Sequence, residues 1–307
     1  MATKAVVTGG AGFIGSHLAA SLLAKGWEVA IVDDLATGRK ENLAVAPDAA
    51  FHELDINETD ALATVFAGAQ YVFHVAAIPA VPRSIEDPQG TNHANIDGTL
   101  SVLVAAKKAG VQRVVFSSSS SVYGDSPVLP KQEDMPTSPI SPYATQKLAG
   151  EQYMRHFSAL LGLETVVIRY FNVFGPRQDP KSTYAAVIPL FITLIRDGKP
   201  PLINGDGTTT RDFTYVDNVV HGNILAATTP AAAGKLFNIA CGAAYSLNDL
   251  VAVINRKLGT DIKPEYGAFR AGDVKDSLAD ITRAKEILGY EPLVTFEEGI
   301  ERTIAAL

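Results

Sequence analysis

The sequence predicts an α/β protein with a doubly wound parallel sheet and a smaller α/β lobe towards the C-terminus. Two observations carry this prediction. Short apolar runs alternate with helix-length segments over residues 1–170, and a glycine-rich turn follows the first of these runs. Alternating strands and helices form βαβ units, which need a parallel sheet with helices on both faces. In such a sheet, ligands bind at the carboxyl ends of the strands.

Each element follows from a local pattern of apolar residues. In chain order, the predicted strands are residues 5–8, 28–33, 51–55, 71–76, 113–119 and 165–169, and the predicted helices are residues 13–25, 95–109 and 142–161. Beyond residue 171, Pro- and Gly-rich stretches such as DGKPPLINGDGTTTRD replace the clean strand–helix pairs. We therefore expect a first domain over residues 1–170 and a smaller lobe over residues 171–307, with residues 212–242 returning to the first domain.

The composition indicates a large globular protein that does not bind nucleic acid. Of the 307 residues, 47% are hydrophobic and 19% are charged, which allows a sizeable core. The formal net charge of −7 argues against a nucleic-acid partner, because phosphate backbones bind clustered Lys and Arg. Cys241 is the single cysteine, so no disulfide or thiolate metal cluster can form within the chain. No apolar run approaches the ~20 residues that span a bilayer, and we expect a cytoplasmic protein without membrane or metal partners.

The segment TGGAGFIGS joins the first predicted strand to the first predicted helix. Its glycines Gly9, Gly12 and Gly15 permit a tight turn and a close approach to a pyrophosphate, which the helix N-terminus attracts. Such spacing also arises in ordinary turns, but here the strand, turn, helix and second strand occur in the order that dinucleotide binding requires. The first domain is therefore predicted to be a Rossmann domain.

Asp33 closes the second predicted strand, about 20 residues beyond the glycines. A carboxylate at this place accepts the ribose hydroxyls of NAD and repels the 2′-phosphate of NADP, so NAD is the expected cofactor. Asp33 and Asp34 could instead be solvated loop residues, and Arg39 and Lys40 could serve NADP. Asp55, at the end of the third predicted strand, is expected on the adenine side unless it only caps a turn.

Tyr143 and Lys147 lie four positions apart on a helix whose start is marked by Ser141 and Pro142. Their side chains leave the same helix face. An ammonium beside a phenol lowers the pKa of the phenol, which suits proton transfer. The serine run at residues 117–121 ends the fifth predicted strand and points hydroxyls into the ligand crevice, although at least two of these serines are expected to bond only to their local backbone.

The chain resembles the extended short-chain dehydrogenase/reductases, and more closely the UDP-glucose and UDP-N-acetylglucosamine 4-epimerases. The resemblance lies in four segments that occur in the same order: TGGAGFIGS, SSSSSVYGD, SPYATQK and RYFNVFGPRQDP. The resemblance covers residues 6–290. It implies Tyr143 as catalytic base, Lys147 as its partner and Ser119 as the assisting hydroxyl, with Ser120 and Ser121 as weaker candidates. It also implies NAD contacts at Gly9, Gly12, Phe13, Ile14, Gly15, Asp33, Asp34, Asp55, Ile56, Ala76, Ala77, Asn95, Ser117, Tyr143, Lys147 and Tyr170.

The resemblance further implies how a UDP-sugar is turned over. Tyr143 takes the proton of the C4 hydroxyl while tightly held NAD takes the hydride, and the 4-keto sugar then turns about its pyrophosphate linkage and is reduced on its other face. Arg211 and Arg270 suit a diphosphate because guanidinium groups form bidentate bonds, although Arg211 could instead pair with Asp212. The implied substrate contacts are Arg83, Ser119, Ser120, Asn172, Ala186, Val187, Leu202, Ile203, Asn204, Arg211, Asn238, Arg270, Asp273 and Ser277.

Residues at two positions indicate which reaction and which sugar substrate are expected. Related dehydratases and decarboxylases carry an acidic residue where this chain has Ser121, and this favours epimerisation. Epimerases confined to UDP-glucose and UDP-galactose carry a tyrosine where this chain has Ser277, so there is room here for an acetamido group. The resemblance therefore implies UDP-N-acetylglucosamine and UDP-N-acetylgalactosamine as substrates, with UDP-glucose and UDP-galactose beside them. The alternatives are a UDP-glucose 4-epimerase only and a UDP-glucuronate 4-epimerase.

Two other classes of protein stay open at this point, a non-catalytic NAD-binding regulator and a net oxidoreductase with exchangeable cofactor. The intact set of Tyr143, Lys147 and Ser119 argues against the regulator. The predicted helices 95–109 and 142–161 carry apolar residues on more than one face, including Leu100 and Leu148. In the family that the chain resembles, such helices pair as a four-helix bundle, so a homodimer is implied.

Overall fold

The computed structural model describes residues 2–178, 186–268 and 276–307. The strands of these residues are β1 (Lys4–Thr8), β2 (Glu28–Asp33), β3 (Ala50–Glu53), β4 (Tyr71–His74), β5 (Arg113–Ser119), β6 (Glu164–Tyr170), β7 (Val173–Phe174), β8 (Leu202–Asn204), β9 (Thr210–Arg211), β10 (Thr214–Tyr215), β11 (Leu236–Ile239), β12 (Tyr245–Ser246) and β13 (Glu265–Gly267). The α-helices are α1 (Phe13–Ala24), α2 (Thr59–Phe66), α3 (Val81–Glu86), α4 (Pro88–Asn92), α5 (Gly98–Ala109), α6 (Pro142–Leu161), α7 (Val187–Arg196), α8 (Val216–Thr228), α9 (Leu247–Leu258) and α10 (Phe296–Ala306).

Seven strands form one central sheet in the order β3-β2-β1-β4-β5-β6-β11. Every neighbouring pair in it is parallel. The strand order changes direction between β1 and β4, which is where an open α/β sheet leaves a crevice for ligands. The predicted doubly wound parallel sheet is confirmed.

Apolar side chains fill both faces of this sheet, because parallel strands are covered by helices on either side. Successive residues of a strand point to opposite faces. One face therefore carries Val7, Phe73 and Val115, and the other carries their immediate neighbours in sequence, Val6, Val72 and Val114.

The later part of the chain has a separate core. It contains Phe174, Phe213 and Phe296, and the rings of the last two stack with centroids 5.5 Å apart. Three two-stranded sheets surround it, β7 with β10, β9 with β12, and β8 with β13. The strand β11 does not join these pairs; it adds to the edge of the central sheet beside β6.

The catalytic-helix candidate α6 begins and ends as its sequence predicts. The Ser141 hydroxyl accepts a hydrogen bond from the Ala144 N–H at 3.2 Å, Pro142 occupies the first turn, and Gly162 ends the helix with φ of 66°. A capping hydroxyl and a left-handed glycine satisfy groups that a helix leaves unpaired at its ends. The predicted bounds of 142–161 are confirmed.

Three sequence predictions of element bounds are wrong. The fourth strand ends at His74 rather than at residue 76. The third strand ends at Glu53, because the Asp55 carboxylate accepts the Asn57 N–H at 2.8 Å and turns the chain. The predicted helix 95–109 is part of a helical stretch from Pro88 to Ala109 that contains a π-helical turn at His93–Asp97. Among the described residues, no helix combines the length and the apolar character needed to cross a membrane.

Candidate active site

A cavity of about 1000 Å³ opens where β1, β2, β4 and β5 end. It lies at the crevice expected from the strand order. Residues expected to contact the cofactor share its wall with two expected to contact the substrate, Arg83 and Ala186. The expected cofactor residues that line it are Gly9, Gly12, Phe13, Ile14, Gly15, Asp33, Asp34, Asp55, Ile56, Ala76, Ala77, Ser117, Tyr143, Lys147 and Tyr170.

The glycine turn is shaped for close backbone approach. Gly9 has φ of 73°, and a Cβ there would lie 2.7 Å from the Cα of Ala76. A Cβ on Gly15 would lie 2.1 Å from the carbonyl oxygen of Gly9, so α1 can start against the turn only with glycine at this place. The first-turn N–H groups of α1 have no intrahelical acceptor, and they fit a pyrophosphate in the cavity.

Arg177 and Gln178 also line this cavity, and the sequence analysis did not single them out. The Arg177 Nε donates to the Ser16 hydroxyl at 3.0 Å, which brings a guanidinium to the first turn of α1. The side-chain oxygen of Gln178 is buried and has no hydrogen-bond partner among the described residues. Both residues lie in the segment RYFNVFGPRQDP, from which the sequence analysis took only Tyr170 and Asn172 as expected contacts.

Asp33 lines the cavity and also holds a local turn. Its carboxylate accepts the Ala11 N–H at 2.9 Å and the Leu35 N–H at 2.8 Å. Burial raises the pKa of this carboxyl, and the two backbone hydrogen bonds act in the opposite direction. Two N–H donors fix the carboxylate at the end of β2, where the ribose of a dinucleotide would lie.

Tyr143 and Lys147 leave α6 on the cavity side, with the Lys147 Nζ 5.9 Å from the centroid of the Tyr143 ring. The Lys147 Nζ donates to the Ser117 carbonyl at 2.8 Å. Burial raises the pKa of Tyr143 to about 12, and hydrogen bonding to Ser119 acts in the opposite direction. The lowered tyrosine pKa expected from Lys147 is not found, because burial of the phenol is the largest effect on the pKa of Tyr143.

The Lys147 ammonium is itself affected by burial. Burial lowers its pKa to about 8, and the charge of Glu151, one helical turn further on, acts in the opposite direction. The Glu151 carboxylate accepts two bonds from Arg169, at 2.8 and 2.6 Å, and one from the Ser118 hydroxyl at 2.5 Å. This buried network joins α6, β5 and β6 directly beneath the candidate catalytic residues.

Asn95 does not line the cavity, although it was expected to contact the cofactor. It is buried in the π-helical turn, and its side chain bonds to both the N–H and the carbonyl of Ile78, at 2.8 and 3.0 Å. A third bond, of 2.8 Å, joins it to Gln146 on α6. Since Ile78 lines the cavity, Asn95 acts on the site by holding this loop.

Asn172, Arg211 and Ser277 lie close together in the later part of the chain. The Asn172 Nδ2 is 3.5 Å from the Ser277 hydroxyl oxygen and 3.3 Å from the carbonyl oxygen of Asp212. Arg211 is in β9, and the Ser277 N–H donates to the adjacent Thr210 carbonyl at 3.1 Å. The Asp212 carboxylate accepts three backbone N–H groups, and the Arg211 Nη1 donates to the Thr210 carbonyl at 2.8 Å.

The remaining expected substrate residues are spread out. Leu202 and Asn204 are exposed, but Ile203 between them is fully buried. Val187 begins α7, and Ser120 begins the 3-10 turn Ser120–Tyr123, in which the Ser121 hydroxyl is buried without a partner among the described residues. Arg270 and Asp273 lie outside the described residues.

Asn238 is placed differently from its expected role as a substrate contact. It is fully buried, accepts the Tyr123 hydroxyl at 2.7 Å, and donates to the Lys131 carbonyl at 2.9 Å. Its main-chain N–H donates to Glu133. The structure therefore corrects this expectation, because these protein partners occupy the side chain on both its oxygen and its nitrogen.

Comparisons with known proteins agree with this geometry. The family model described as the NAD dependent epimerase/dehydratase family matches residues 5–240. The chain is 41% identical to the UDP-glucose 4-epimerase of Mycolicibacterium smegmatis over 98% of this chain and 97% of that protein. It is similar to the solved UDP-N-acetylglucosamine 4-epimerase of Methanobrevibacter ruminantium, in complex with UDP-N-acetylmuramic acid, with a TM-score of 0.95, 40% identity, and coverage of 99% and 98% of the two chains. The Thermus thermophilus UDP-glucose 4-epimerase, solved with NAD, gives a TM-score of 0.89 at 33% identity and the same coverage. The chain belongs to the NAD dependent epimerase/dehydratase family.

Proposed function

We propose that the chain catalyses the C4 epimerisation of a UDP-sugar, with NAD as its bound cofactor. The observation that carries the proposal is the convergence of Tyr143 and Lys147 on the same cavity as the glycine turn and Asp33. A proton-transfer pair and a dinucleotide site that share one cavity suit a reaction in which a hydroxyl loses a proton and a hydride together.

Each part of the cavity has a proposed role. The first-turn N–H groups of α1 and Arg177 bind the cofactor diphosphate, and Asp33 accepts hydroxyls of its adenine ribose. Bound NAD supplies a hydride acceptor and a positive ring that favours the phenolate of Tyr143. Tyr143 holds and returns the proton of the C4 hydroxyl at its Oη, and Ser119 hydrogen-bonds to the same phenol.

The proposed substrates are UDP-N-acetylglucosamine and UDP-N-acetylgalactosamine, with UDP-glucose and UDP-galactose accepted beside them. Support comes from the small side chain of Ser277 next to Asn172, another of the implied substrate contacts. A pocket that accepts an acetamido group excludes a hydroxyl only weakly, since a missing group in a roomy site costs little affinity.

The test is a direct assay. Purified protein is incubated separately with UDP-glucose, UDP-N-acetylglucosamine and UDP-glucuronate, and the C4 epimers are resolved while NADH is monitored. We expect epimers of the first two sugars and no net NADH. Net NADH without an epimer would indicate an oxidoreductase, and retained NAD without turnover of any sugar would indicate a non-catalytic protein.

We also propose a homodimer formed through α5 and α6. These helices leave Val104, Leu160 and Leu161 exposed by 42%, 75% and 47%, and apolar side chains of this size favour a covered face. Light scattering should give twice the chain mass, and Val104→Glu should shift it towards the monomer. A wild-type monomer would contradict this proposal without affecting the proposed reaction.

A further inference from the structure

We propose that Asp212 is a positioning residue of the sugar-nucleotide site, whose carboxylate holds together the segments that carry Asn172, Arg211 and Ser277. This inference rests on the proposed function, which places these three residues at the substrate. Asp212 is not among the residues that line the cavity, and neither are Asn172, Arg211 and Ser277. Its side chain bonds to main chain, so it is proposed to act through its neighbours.

Among the described residues, the Asp212 carboxylate accepts hydrogen bonds from the main chain of two distant segments. Its Oδ1 accepts the Cys241 N–H at 3.0 Å, and its Oδ2 accepts the Gly242 N–H at 3.0 Å and the Ala279 N–H at 3.2 Å. The residue is fully buried. Hydrogen bonds to an ionised acceptor are about twice as strong as neutral ones, so one side chain fixes the loop after β11 and the segment around residue 279 to the end of β9.

The segments next to the Asp212 carboxylate also carry two of the proposed substrate contacts, Ser277 and Asn172. Ala279 lies two residues after Ser277, whose N–H donates to the Thr210 carbonyl. The main-chain oxygen of Asp212 accepts the Asn172 side chain at 3.3 Å. Displacement of Asp212 would therefore move Ser277 and Asn172 relative to each other.

Arg211 is coupled more directly, since it precedes Asp212 in the chain. Its strand β9 is only two residues long and pairs with Tyr245–Ser246 of β12. So short a pairing fixes strand direction weakly. The carboxylate at the next residue adds a third attachment to the bonds that Thr210 makes with Asp276 and Ser277.

An amide cannot reproduce this arrangement. Asparagine offers one acceptor oxygen, and its NH₂ group would face backbone N–H donors. Burial already raises the pKa of Asp212 to about 6, while the backbone N–H groups act in the opposite direction. These donors therefore stabilise the ionised carboxylate. Replacing Asp212 should displace the segments that carry the Cys241, Gly242 and Ala279 N–H groups.

The experiment compares Asp212→Asn with wild type, both in the NAD-bound form. We expect the KM for UDP-sugar to rise about tenfold, which corresponds to a loss of about 1.4 kcal/mol of binding free energy. The change in kcat should be smaller, and NAD retention should be unchanged. Asp280→Asn is the matched control, since its carboxylate accepts the Thr282 N–H and the Gln132 Nε2 rather than the main chain that Asp212 holds. Unchanged KM for Asp212→Asn, or an equal rise for Asp280→Asn, would overturn the proposal.

A wild-type measurement keeps the inference testable if Asp212→Asn does not fold. Coupling between two sites is reciprocal, so UDP should slow hydrogen exchange of the Gly242 and Ala279 amides. Unchanged exchange under saturating UDP would overturn the inference. If the wild type binds UDP but produces no epimer, the proposed reaction fails while this exchange test still decides the role of Asp212.

Discussion

The side-chain nitrogen of Asn172 lies 3.5 Å from the hydroxyl oxygen of Ser277, at the junction of two segments that are far apart in the sequence. Asn172 has φ of 33°, a left-handed conformation that non-glycine residues seldom adopt. Three atoms outside its own segment hold it there: the Ser277 hydroxyl, the Asp212 carbonyl and the Thr214 N–H, which donates to the Asn172 carbonyl at 3.2 Å. A larger side chain at residue 277 would therefore meet the side chain of Asn172.

Ser277→Tyr should separate the two classes of sugar. The larger ring would occupy the space proposed for the acetamido group, so turnover of UDP-N-acetylgalactosamine should fall at least about 100-fold while UDP-galactose is still epimerised. The measurement is kcat/KM for both substrates. Ser277→Ala is the control, because it keeps the space and should convert both sugars. Equal losses on both sugars in Ser277→Tyr would remove Ser277 from the specificity argument.

Tyr143→Phe should abolish proton transfer without emptying the cofactor site. Loss of a positioned acid/base costs roughly 10²- to 10⁴-fold in rate, and the ring itself is kept. Single-turnover and steady-state rates, with NAD measured after denaturation, provide the readout. Tyr153→Phe on the same helix should behave like wild type. Near-normal turnover of Tyr143→Phe would exclude this residue as the base.

Asp33→Asn should weaken NAD binding and reduce discrimination against NADP. Hydrogen bonds to a charged group contribute about 1.5–3 kcal/mol, which is roughly 10- to 100-fold in affinity. Dissociation constants for both cofactors, measured by calorimetry on cofactor-free protein, test this. Asp34 is exposed on the same wall, so Asp34→Asn is the control. A larger effect from Asp34→Asn would reassign the ribose contact.

Acid should destabilise the fold through its buried histidines. Burial lowers the pKa of His74 to about 3 and that of His17 to about 4, from an ordinary value of 6.5. Below pH 6.5 the unfolded chain takes up protons that the folded chain refuses, so this stabilisation is complete above pH 6.5 and is lost progressively down to the folded pKa. Each such histidine contributes about 1.4 kcal/mol per pH unit in that range.

Urea unfolding of wild type and His17→Asn at pH 7, 6 and 5 tests this contribution. Carboxyls with raised pKa, such as Asp212, act with the opposite sign, so the comparison concerns the difference between the two proteins. The variant should lose less unfolding free energy than wild type as the pH falls. The exposed His156 offers a control in His156→Asn, which should follow the wild type. Identical slopes for wild type and His17→Asn would contradict the argument.

The fold and the cofactor side of the cavity could be predicted because their signals are local. Apolar runs mark the buried strands, three glycines mark the turn at Gly9, and Ser141 with Pro142 marks the start of α6. Residues at the ends of neighbouring parallel strands meet at one edge of the sheet whatever the loops between them do. This is why Asp33, Ala76 and Ser117 could be assigned to one cavity without coordinates.

Roles that depend on partners far away in sequence could not be predicted. The amino-acid sequence alone does not show whether the side-chain amide of Asn95 faces a ligand or the backbone of Ile78. The same holds for Asn238, which bonds to Tyr123. The raised pKa of Tyr143 reflects burial, which spacing on a helix does not reveal. The carboxylates of Glu151 and Asp212 likewise gain their roles only from segments that the fold brings to them.

The last strand of the central sheet, β11, has a consequence for the order of synthesis. Its position beside β6 means that the sheet stays incomplete at this edge until residue 239 has left the ribosome. Until then β6 presents unpaired backbone groups, which invite pairing with other chains. A nascent chain or proteolytic fragment ending near residue 170 would carry the glycine turn and Tyr143 yet expose this edge, so an autonomous cofactor-binding fragment would have to extend through Ile239.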